Sequence, residues 1–189
     1  TSLDVSNNTA LGILHCGDNQ LTTLDISNNT ALNNLSCNTN QLTSLDVSAN
    51  TALNELNVVT NQLTSLNVSN NTDLTYLRCS SNQLTSLDVS NNTALGLLAC
   101  DNNQLTTLDL SNNTALATLH IEHNQLTYLN MKNGVTDELE YFTARNNSLT
   151  CIETSDPTYA TANWTSANGN IDAGVTFSVI CGGTDLTTW

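Results

Sequence analysis

Leucine recurs along the chain in a polar segment that is repeated almost without change. The segment reads LDVSNNTAL from Leu3 and LDISNNTAL from Leu24. Further copies begin at Leu45, Leu66, Leu87 and Leu108, with the divergent LNMKNGVTDEL at Leu129. The period is 21 residues and is kept without slippage for six units. A period of this length predicts a stack of similar structural units.

Each unit also carries a second pattern, which reads LGILHCGDNQL from Leu11 to Leu21. It returns seven times in all, and the last copy, LEYFTARNNSL, closes a unit that is two residues longer and has Phe142 in place of the fourth-position Leu. This is the LxxLx(L/C)xxNxL pattern of leucine-rich repeats, in which positions 1, 4, 6 and 11 point inward from a short strand. Stacked units bury that face together. We therefore predict a right-handed leucine-rich repeat solenoid with a parallel concave β-sheet.

Position 9 of this pattern is asparagine in every unit. The residues are Asn19, Asn40, Asn61, Asn82, Asn103, Asn124 and Asn147. A buried amide is tolerated only when it is hydrogen-bonded. We expect each one to bond the backbone of its own loop and of the next, as a structural ladder.

The second half of each unit must return the chain in about ten residues, which is too few for a three-turn helix with its loops. The alternation in Leu24-Asp25-Ile26-Ser27 indicates a short extended segment, and the Asn-Asn-Thr that follows is typical of a turn. We therefore predict a thin convex side made of turns or short strands.

A column of acidic residues lies in this second half. It contains Asp4, Asp25, Asp46, Asp88 and Asp109, with Asn67 and Asn130 in the same column. We expect each Asp to accept hydrogen bonds from its own turn. The alternative is calcium between neighbouring Asp side chains, because carboxylate oxygens suit that ion.

Four of the six cysteines occupy position 6 of the repeat. They are Cys16, Cys37, Cys79 and Cys100. Val58, Ile121 and Ala144 fill the same position in other units, which indicates an inward apolar site. A ladder does not bring four thiols together as zinc requires. The Cβ atoms of neighbouring units are held at the strand spacing of ~4.8 Å, which is longer than the Cβ–Cβ separation of ~3.8 Å that is usual in a disulfide. We expect four buried reduced thiols.

The other two cysteines, Cys151 and Cys181, flank a segment of different composition that contains Trp164 and Phe177. The open end of a solenoid must be covered, and a loop closed by a disulfide would cover it. We therefore divide the chain into a repeat array at 1–150, an irregular disulfide-closed C-terminal cap at 151–181 and the start of a linker at 182–189. A disulfide implies an oxidising compartment. The alternative is two free buried thiols.

At the other end, Thr1-Ser2-Leu3 enters in the middle of a unit. Upstream repeats, a partner or self-association with another copy of the chain would cover this uncapped end.

Charge and composition exclude several classes of partner. The chain has 3 Lys and Arg against 17 Asp and Glu, which is too few cations for nucleic acid or an anionic membrane surface. No apolar run approaches the ~18 residues of a membrane span, so we expect no direct membrane insertion. The sequence also lacks the common hydrolase, metalloprotease and phosphate-loop motifs. We therefore predict neither catalysis nor a bound cofactor, with calcium as the one alternative.

The outward positions 3, 5, 7 and 8 of the predicted sheet vary, whereas the rest of the unit is nearly constant. Variation confined to one face of a repeat array marks a binding surface, and Tyr, Arg and His carry interface energy. The alternative is that nothing constrains these positions. The candidate ligand-binding residues are Tyr76, Arg78, Asp101, His120, Glu122, His123, Tyr141 and Arg145. His120, Glu122 and His123 could also hold a metal, but the adjacent strands offer no further ligands, so we predict a solvated surface.

The repeat sequence LDVSNNTAL joined to LxxLxCxxNQL resembles the cysteine-bearing 21-residue repeats of bacterial surface proteins of the internalin J type, which are also found in secreted proteins of Bacteroidetes. The resemblance covers residues 1 to about 153, and residues 151–181 are similar to segments that close such arrays in flavobacterial proteins. It implies an extracellular or cell-surface protein that binds or adheres to a protein ligand. Two alternatives remain: a module that binds a surface glycan within a larger polysaccharide-active protein, and a passive spacer.

Overall fold

Every unit contributes one short strand to a parallel sheet, the main sheet. The computed structural model describes residues 2–182. The strands of the main sheet are β2 (Ile13–His15), β4 (Asn34–Ser36), β5 (Glu55–Asn57), β6 (Tyr76–Arg78), β7 (Leu97–Ala99), β9 (Thr118–His120) and β11 (Tyr141–Thr143). They lie side by side in chain order. Leu14 pairs with Leu35, 21 residues later, and the same separation holds along the sheet as far as Leu119. Leu119 pairs with Phe142, 23 residues later, because the last unit is two residues longer.

Within residues 2–182, the opposite side, the second face, has strands only toward its two ends. They are β1 (Ser2–Asp4) and β3 (Thr23–Asp25) at the N-terminal end and β8 (Thr107–Asp109), β10 (Tyr128–Met131), β12 (Cys151–Thr154) and β13 (Thr176–Ser178) at the C-terminal end. The corresponding stretches at 44–46, 65–67 and 86–88 are not strands. The prediction of a thin side built from turns and short strands is therefore confirmed.

One apolar column runs the length of the stack. The Leu of positions 1, 4 and 11 is fully buried in the middle units, as at Leu53, Leu56 and Leu63. Val68, from the second half of the same unit, closes the column from the other side and is also buried. Each layer is thus completed by its neighbours, as stacked repeats require.

The predicted asparagine ladder is present, and its bonds run to the preceding turn. Asn82 Nδ2 donates to the carbonyl of Cys79 in its own turn at 3.1 Å and to that of Val58 in the preceding turn at 3.0 Å. Its Oδ1 accepts from the backbone N–H of Leu63 at 3.0 Å. The neighbour that each Asn bonds is therefore the preceding turn, and the expectation of the next loop was wrong.

A second asparagine ladder lies in the turn that the sequence analysis treated only as turn chemistry. Its members are fully buried, and they are Asn29, Asn50, Asn71, Asn92 and Asn113. Asn71 Nδ2 donates to Val47 O at 3.1 Å and to Asn50 O at 2.8 Å, both in the preceding unit. The repeated Asn-Asn-Thr therefore joins successive units as well as turning the chain.

The C-terminal cap is more regular than predicted. It contains β12, a helix α1 (Pro157–Asn163) and β13. Asp156 starts the helix by accepting from Tyr159 N at 2.9 Å, and Pro157 follows in the first turn. The predicted disulfide between Cys151 and Cys181 is confirmed, with Cα atoms 5.8 Å apart.

Trp164 connects this cap to the end of the stack. The buried indole lies 4.5 Å from the ring of Phe142 and 5.8 Å from that of Phe177, measured between centroids. Phe142 is the residue that replaces Leu in the last unit, so the altered last repeat and the cap share one aromatic cluster. Apart from Gly182, the predicted linker at 182–189 lies outside the described residues. Within 2–182, no helix is long and apolar enough to cross a membrane.

Candidate ligand-binding face

The outward side chains of the main sheet form the surface that the sequence analysis selected, here called the main-sheet face. Because strand side chains alternate, positions 4 and 6 point to the core and positions 3, 5 and 7 point out. Position 8 follows at the strand end with a left-handed backbone, with φ between 52° and 56° in all seven units. None of these residues is glycine, so a rigid stack holds each of them in a strained conformation.

The first half of the face contains a chain of polar side chains that the sequence analysis did not select. His15 Nε2 lies 3.2 Å from Asn34 Oδ1, and Asn34 Nδ2 donates to Glu55 Oε2 at 2.7 Å. With Asn57 and Arg78 these residues line a depression of about 490 Å³ across β2, β4, β5 and β6. In the sequence, the only sign of this contact is a separation of 19 to 21 residues between the polar side chains. Whether residues so separated meet depends on the strand register.

Tyr76 and Arg78 lie together on β6. The Arg78 guanidinium carbon is 5.7 Å from the centroid of the Tyr76 ring, within the range of a cation–π contact. Tyr76 remains 42 % exposed. This pair lies where the polar depression meets the second half of the face.

The second half of the face is more apolar and aromatic. The ring of His120 stacks on that of Tyr141, with centroids 4.5 Å apart and planes inclined by 26°. Tyr141 is 52 % exposed. Leu97 lies between Tyr76 and Thr118 in the strand register. We call Tyr76, Leu97, His120 and Tyr141 the central patch.

The remaining candidate residues are not brought into one cluster. Asp101 accepts from the hydroxyl of Ser80 and from Asn102 Nδ2. His123 Nε2 lies 3.2 Å from Asn146 Nδ2. Glu122 is half-buried, and its Oε2 has no hydrogen-bond partner within the described residues.

Arg145 is exposed, and Lys132 with Glu153 is the sole salt bridge found within 2–182. In that same part of the chain, no group of three or more His, Cys, Asp or Glu side chains is placed to hold a metal ion. The two histidine rings contact different groups. His120 stacks on Tyr141, whereas His123 lies beside Asn146.

The acidic column on the second face makes the hydrogen bonds that were expected. Asp46 Oδ1 accepts from the backbone N–H of Ser48 at 2.9 Å, and Asn67 accepts from Ser69 in the same way at 3.0 Å. Bonds from the Ser48 hydroxyl and N–H lower the pKa of Asp46. The pKa of Asp4, Asp25, Asp88 and Asp109 is lowered as well.

At Asp109 partial burial opposes this shift, but bonds from Ser111 and Asn130 and the charge of Lys132 still lower the pKa. Calcium between neighbouring Asp side chains stays the alternative to the prediction that no metal binds. A melting temperature that is unchanged by chelator would contradict this alternative.

The four position-6 thiols, Cys16, Cys37, Cys79 and Cys100, are buried and unpaired. Burial, with a smaller effect of Cys16, raises the pKa of Cys37 to about 12. Burial, with a smaller effect of the Asp101 charge, raises the pKa of Cys79 to about 12. A thiol with so high a pKa is a poor nucleophile and metal ligand at neutral pH, so these residues act as core side chains.

Comparison with solved structures places this geometry among known proteins. The functional domain of InlJ from Listeria monocytogenes, which includes a cysteine ladder, superposes with a TM-score of 0.75 and 37 % identity over 82 % of this chain. The chain has the leucine-rich repeat fold. A leucine-rich repeat protein from Leptospira interrogans has a TM-score of 0.75 and 25 % identity over 92 % of the chain.

A plant protein with this fold is also similar. The ectodomain of the membrane receptor kinase GASSHO1/SCHENGEN3 from Arabidopsis thaliana, solved in complex with CASPARIAN STRIP INTEGRITY FACTOR 2, has a TM-score of 0.75 and 26 % identity over 93 % of the chain. The chain spans 38 %, 46 % and 23 % of the lengths of these three structures. The LVIVD repeat family matches residues 16–39. Curated protein sequences give no match.

Proposed function

We infer that the chain is a non-catalytic recognition module that binds a protein partner through the central patch and the charged residues around it. The observation that supports this most strongly is the pair of half-exposed tyrosines, Tyr76 at 42 % and Tyr141 at 52 %, on one rigid sheet. Folding does not require aromatic side chains there, because the same position holds Asn34, Glu55 and Thr118 in other units.

The chemistry of the central patch suits a protein interface. Tyr76 and Tyr141 offer large apolar surfaces with polar ends, and interface energy concentrates in such residues. The Arg78 and His120 contacts hold both rings before a partner arrives, which lowers the entropy that binding would cost. Leucine-rich repeat folds of this kind generally mediate protein binding, and one similar structure is a receptor complex with its named partner.

The disulfide supports a place for this module outside the cytosol. Cys151 and Cys181 are bonded, and such bonds persist in oxidising compartments. We propose a bacterial protein of the cell surface or the secreted space, with adhesion as its role. A passive spacer is the competing hypothesis, and it predicts that the central patch has no partner.

A comparative pull-down tests this function. The chain and a Leu97→Ala/Tyr141→Ala variant are immobilised and exposed to the extracellular proteins of the organism and of its surroundings. We expect at least one protein to be retained by the wild type and lost by the variant. A Gln104→Ala variant, changed at an exposed position outside the face, should retain it. Equal retention by all three proteins, or none by any, would contradict the proposal and favour the spacer.

A further inference from the structure

We propose that the polar depression in the first half of the main-sheet face is a binding site for a neutral saccharide. It is lined by His15, Asn34, Glu55, Asn57 and Arg78. Of the central patch, only Tyr76 lies at its edge, where it contacts Arg78. The proposal does not depend on the protein partner inferred above.

The depression is preorganised by hydrogen bonds between its own side chains. Asn34 bonds His15 on one side at 3.2 Å and Glu55 on the other at 2.7 Å, which links three adjacent strands. Asn57 Oδ1 accepts from Val59 N at 3.2 Å, so its amide is also fixed. A ligand would therefore meet oriented groups and would pay little entropy to order them.

Several donors and acceptors in the depression remain unused. The Arg78 guanidinium makes no hydrogen bond or ion pair within residues 2–182, and its contact there is the ring of Tyr76. Glu55 Oε1 and Asn57 Nδ2 are likewise free in the described structure, because the bonds of these residues engage Glu55 Oε2 and Asn57 Oδ1. The unused acceptor of Glu55 and the unused donor of Asn57 thus lie on one strand, β5, and the unused donors of Arg78 lie on the adjacent strand β6, with about 4.8 Å between the strands.

This arrangement suits neighbouring hydroxyl groups. A hydroxyl both donates and accepts, so adjacent ring hydroxyls of a sugar can give a hydrogen bond to Glu55 and take one from Asn57 or Arg78. The volume of about 490 Å³ falls within the range of small-molecule sites. The exposed ring of Tyr76 at the edge offers an apolar surface for the C–H side of a sugar.

Gly17 makes room for an amide side chain at the edge of the depression. Gly17 occupies position 7 of the first unit, where the next unit has Asn38. A Cβ atom on Gly17 would overlap the Asn38 amide. Asn38 therefore leans over the first turn, and its Oδ1 accepts from the Ser36 hydroxyl at 2.9 Å. The edge of the site is thereby lined by an amide and a hydroxyl.

A protein or an ionic ligand fits this depression less well. The lining consists of amides, hydroxyls and charged groups, with the leucines beneath it buried, so it lacks the exposed apolar anchors on which protein interfaces depend. The negative charges of Glu55 and Asp18 repel an anion, whereas the positive charge of Arg78 repels a cation. A neutral ligand rich in hydroxyl groups avoids both repulsions.

The test is affinity electrophoresis through gels that contain soluble neutral glucans, galactans, mannans or xylans, followed by calorimetry with an oligosaccharide of the polymer that binds. We expect retardation by at least one polymer. A Glu55→Ala or Asn34→Ala variant should bind the oligosaccharide about tenfold more weakly or worse, a factor that corresponds to losing one good polar contact. Thermal melting of each variant confirms that the fold is kept.

Two matched controls separate this proposal from the protein-binding function. Glu138→Ala changes an exposed carboxylate outside the main sheet and should bind the saccharide like the wild type. Tyr141→Ala should also keep saccharide binding while it loses the protein partner. No retardation by any polymer would overturn the saccharide site. Oligosaccharide binding by the Glu55→Ala and Asn34→Ala variants that equals binding by the wild type would overturn it too. Either outcome leaves the protein-binding proposal standing.

Discussion

At the scale of single residues, the buried asparagines do more to join the units than any charged group. Each internal member of the first ladder bonds three backbone carbonyls and one N–H. For Asn82 these are the carbonyls of Val58, Cys79 and Ser80 and the N–H of Leu63. These groups lie in the apolar column and have no access to water. Leaving a buried polar group unpaired costs about 1 to 3 kcal/mol.

We therefore expect Asn82→Ala to lower the free energy of unfolding by about 1 to 3 kcal/mol, since the buried N–H of Leu63 loses its partner. The carbonyls of Val58 and Cys79 each lose one of two bonds and keep those from Asn61 and Asn103. The matched control is Asn19→Ala. Asn19 is exposed and bonds only carbonyls of its own turn. Urea unfolding followed by circular dichroism measures both, and equal losses for the two variants would refute the account of the ladder.

The thiols give a second prediction at this scale. Because burial raises the pKa of Cys37 and Cys79 to about 12, no thiol of the native protein should react with an aromatic disulfide reagent at pH 8. Four thiols should become reactive in denaturant, and six after reduction. A native protein in which all four react quickly would show that the ladder is open to solvent.

The acidic column makes stability depend on pH in a defined direction. The folded pKa of each Asp is below the reference value of 3.8. The hydrogen bonds to the carboxylates therefore contribute stability that is complete above that value and is lost as the pH falls through the lower folded values.

The urea midpoint should accordingly be flat from pH 7 to about 5 and fall below pH 4. Asp88→Asn keeps an oxygen acceptor, as Asn67 does for Ser69 at 3.0 Å, and removes one titrating group. It should unfold normally at pH 7 and show a shallower acid decline. A midpoint that rises on acidification would contradict the assignment.

At the scale of elements, the cap completes the main sheet with side-chain and backbone acceptors in place of another strand. Asp172 accepts from the backbone N–H of Asn146 at 2.9 Å and of Asn147 at 3.0 Å. In earlier turns the corresponding N–H groups donate to carbonyls of the following unit, as Asp18 N does to Asn38 O. The cap backbone also accepts, through Asn170 O, from Ala144 N at 2.7 Å.

Replacing Asp172 by Asn leaves one oxygen for two donors. We expect Asp172→Asn to destabilise the fold by about 1 to 3 kcal/mol, because bonds to a charged acceptor are the stronger ones. Asp137→Asn, the same change on an exposed loop residue, is the control and should be close to neutral. Differential scanning calorimetry would detect the difference, and identical melting of the two variants would contradict this role of Asp172.

At the scale of the whole molecule, the period and the inward positions could be predicted from the sequence because every unit repeats the same burial. The Cys151–Cys181 disulfide could be predicted because both residues stand outside the repeat. The second asparagine ladder could not, since Asn50 and its equivalents look like ordinary turn residues until the units are stacked. The helix of the cap was missed because seven residues carry too little periodicity.

The candidate site could be predicted in part, because comparison of the units separates the positions that vary from those that are constant. Variation between units marks the main-sheet face, and Tyr76 and Tyr141 are exposed there. Which of the varied residues meet depends on register and rotamer, so the link from His15 through Asn34 to Glu55 emerged only from the structure. Asp101, Glu122 and His123, which were selected with them, engage separate local partners or none.

The central claim is that the main-sheet face is a protein-binding surface, and the dissociation constant of the chain for the partner retained in the pull-down tests it most directly. The titration compares the wild type, Leu97→Ala/Tyr141→Ala on the face, and Asp88→Asn on the second face. We expect the face variant to bind about tenfold more weakly or worse, because aromatic anchors carry most interface energy, and Asp88→Asn to bind like the wild type. Unchanged binding by the face variant, or weaker binding only by Asp88→Asn, would contradict the claim.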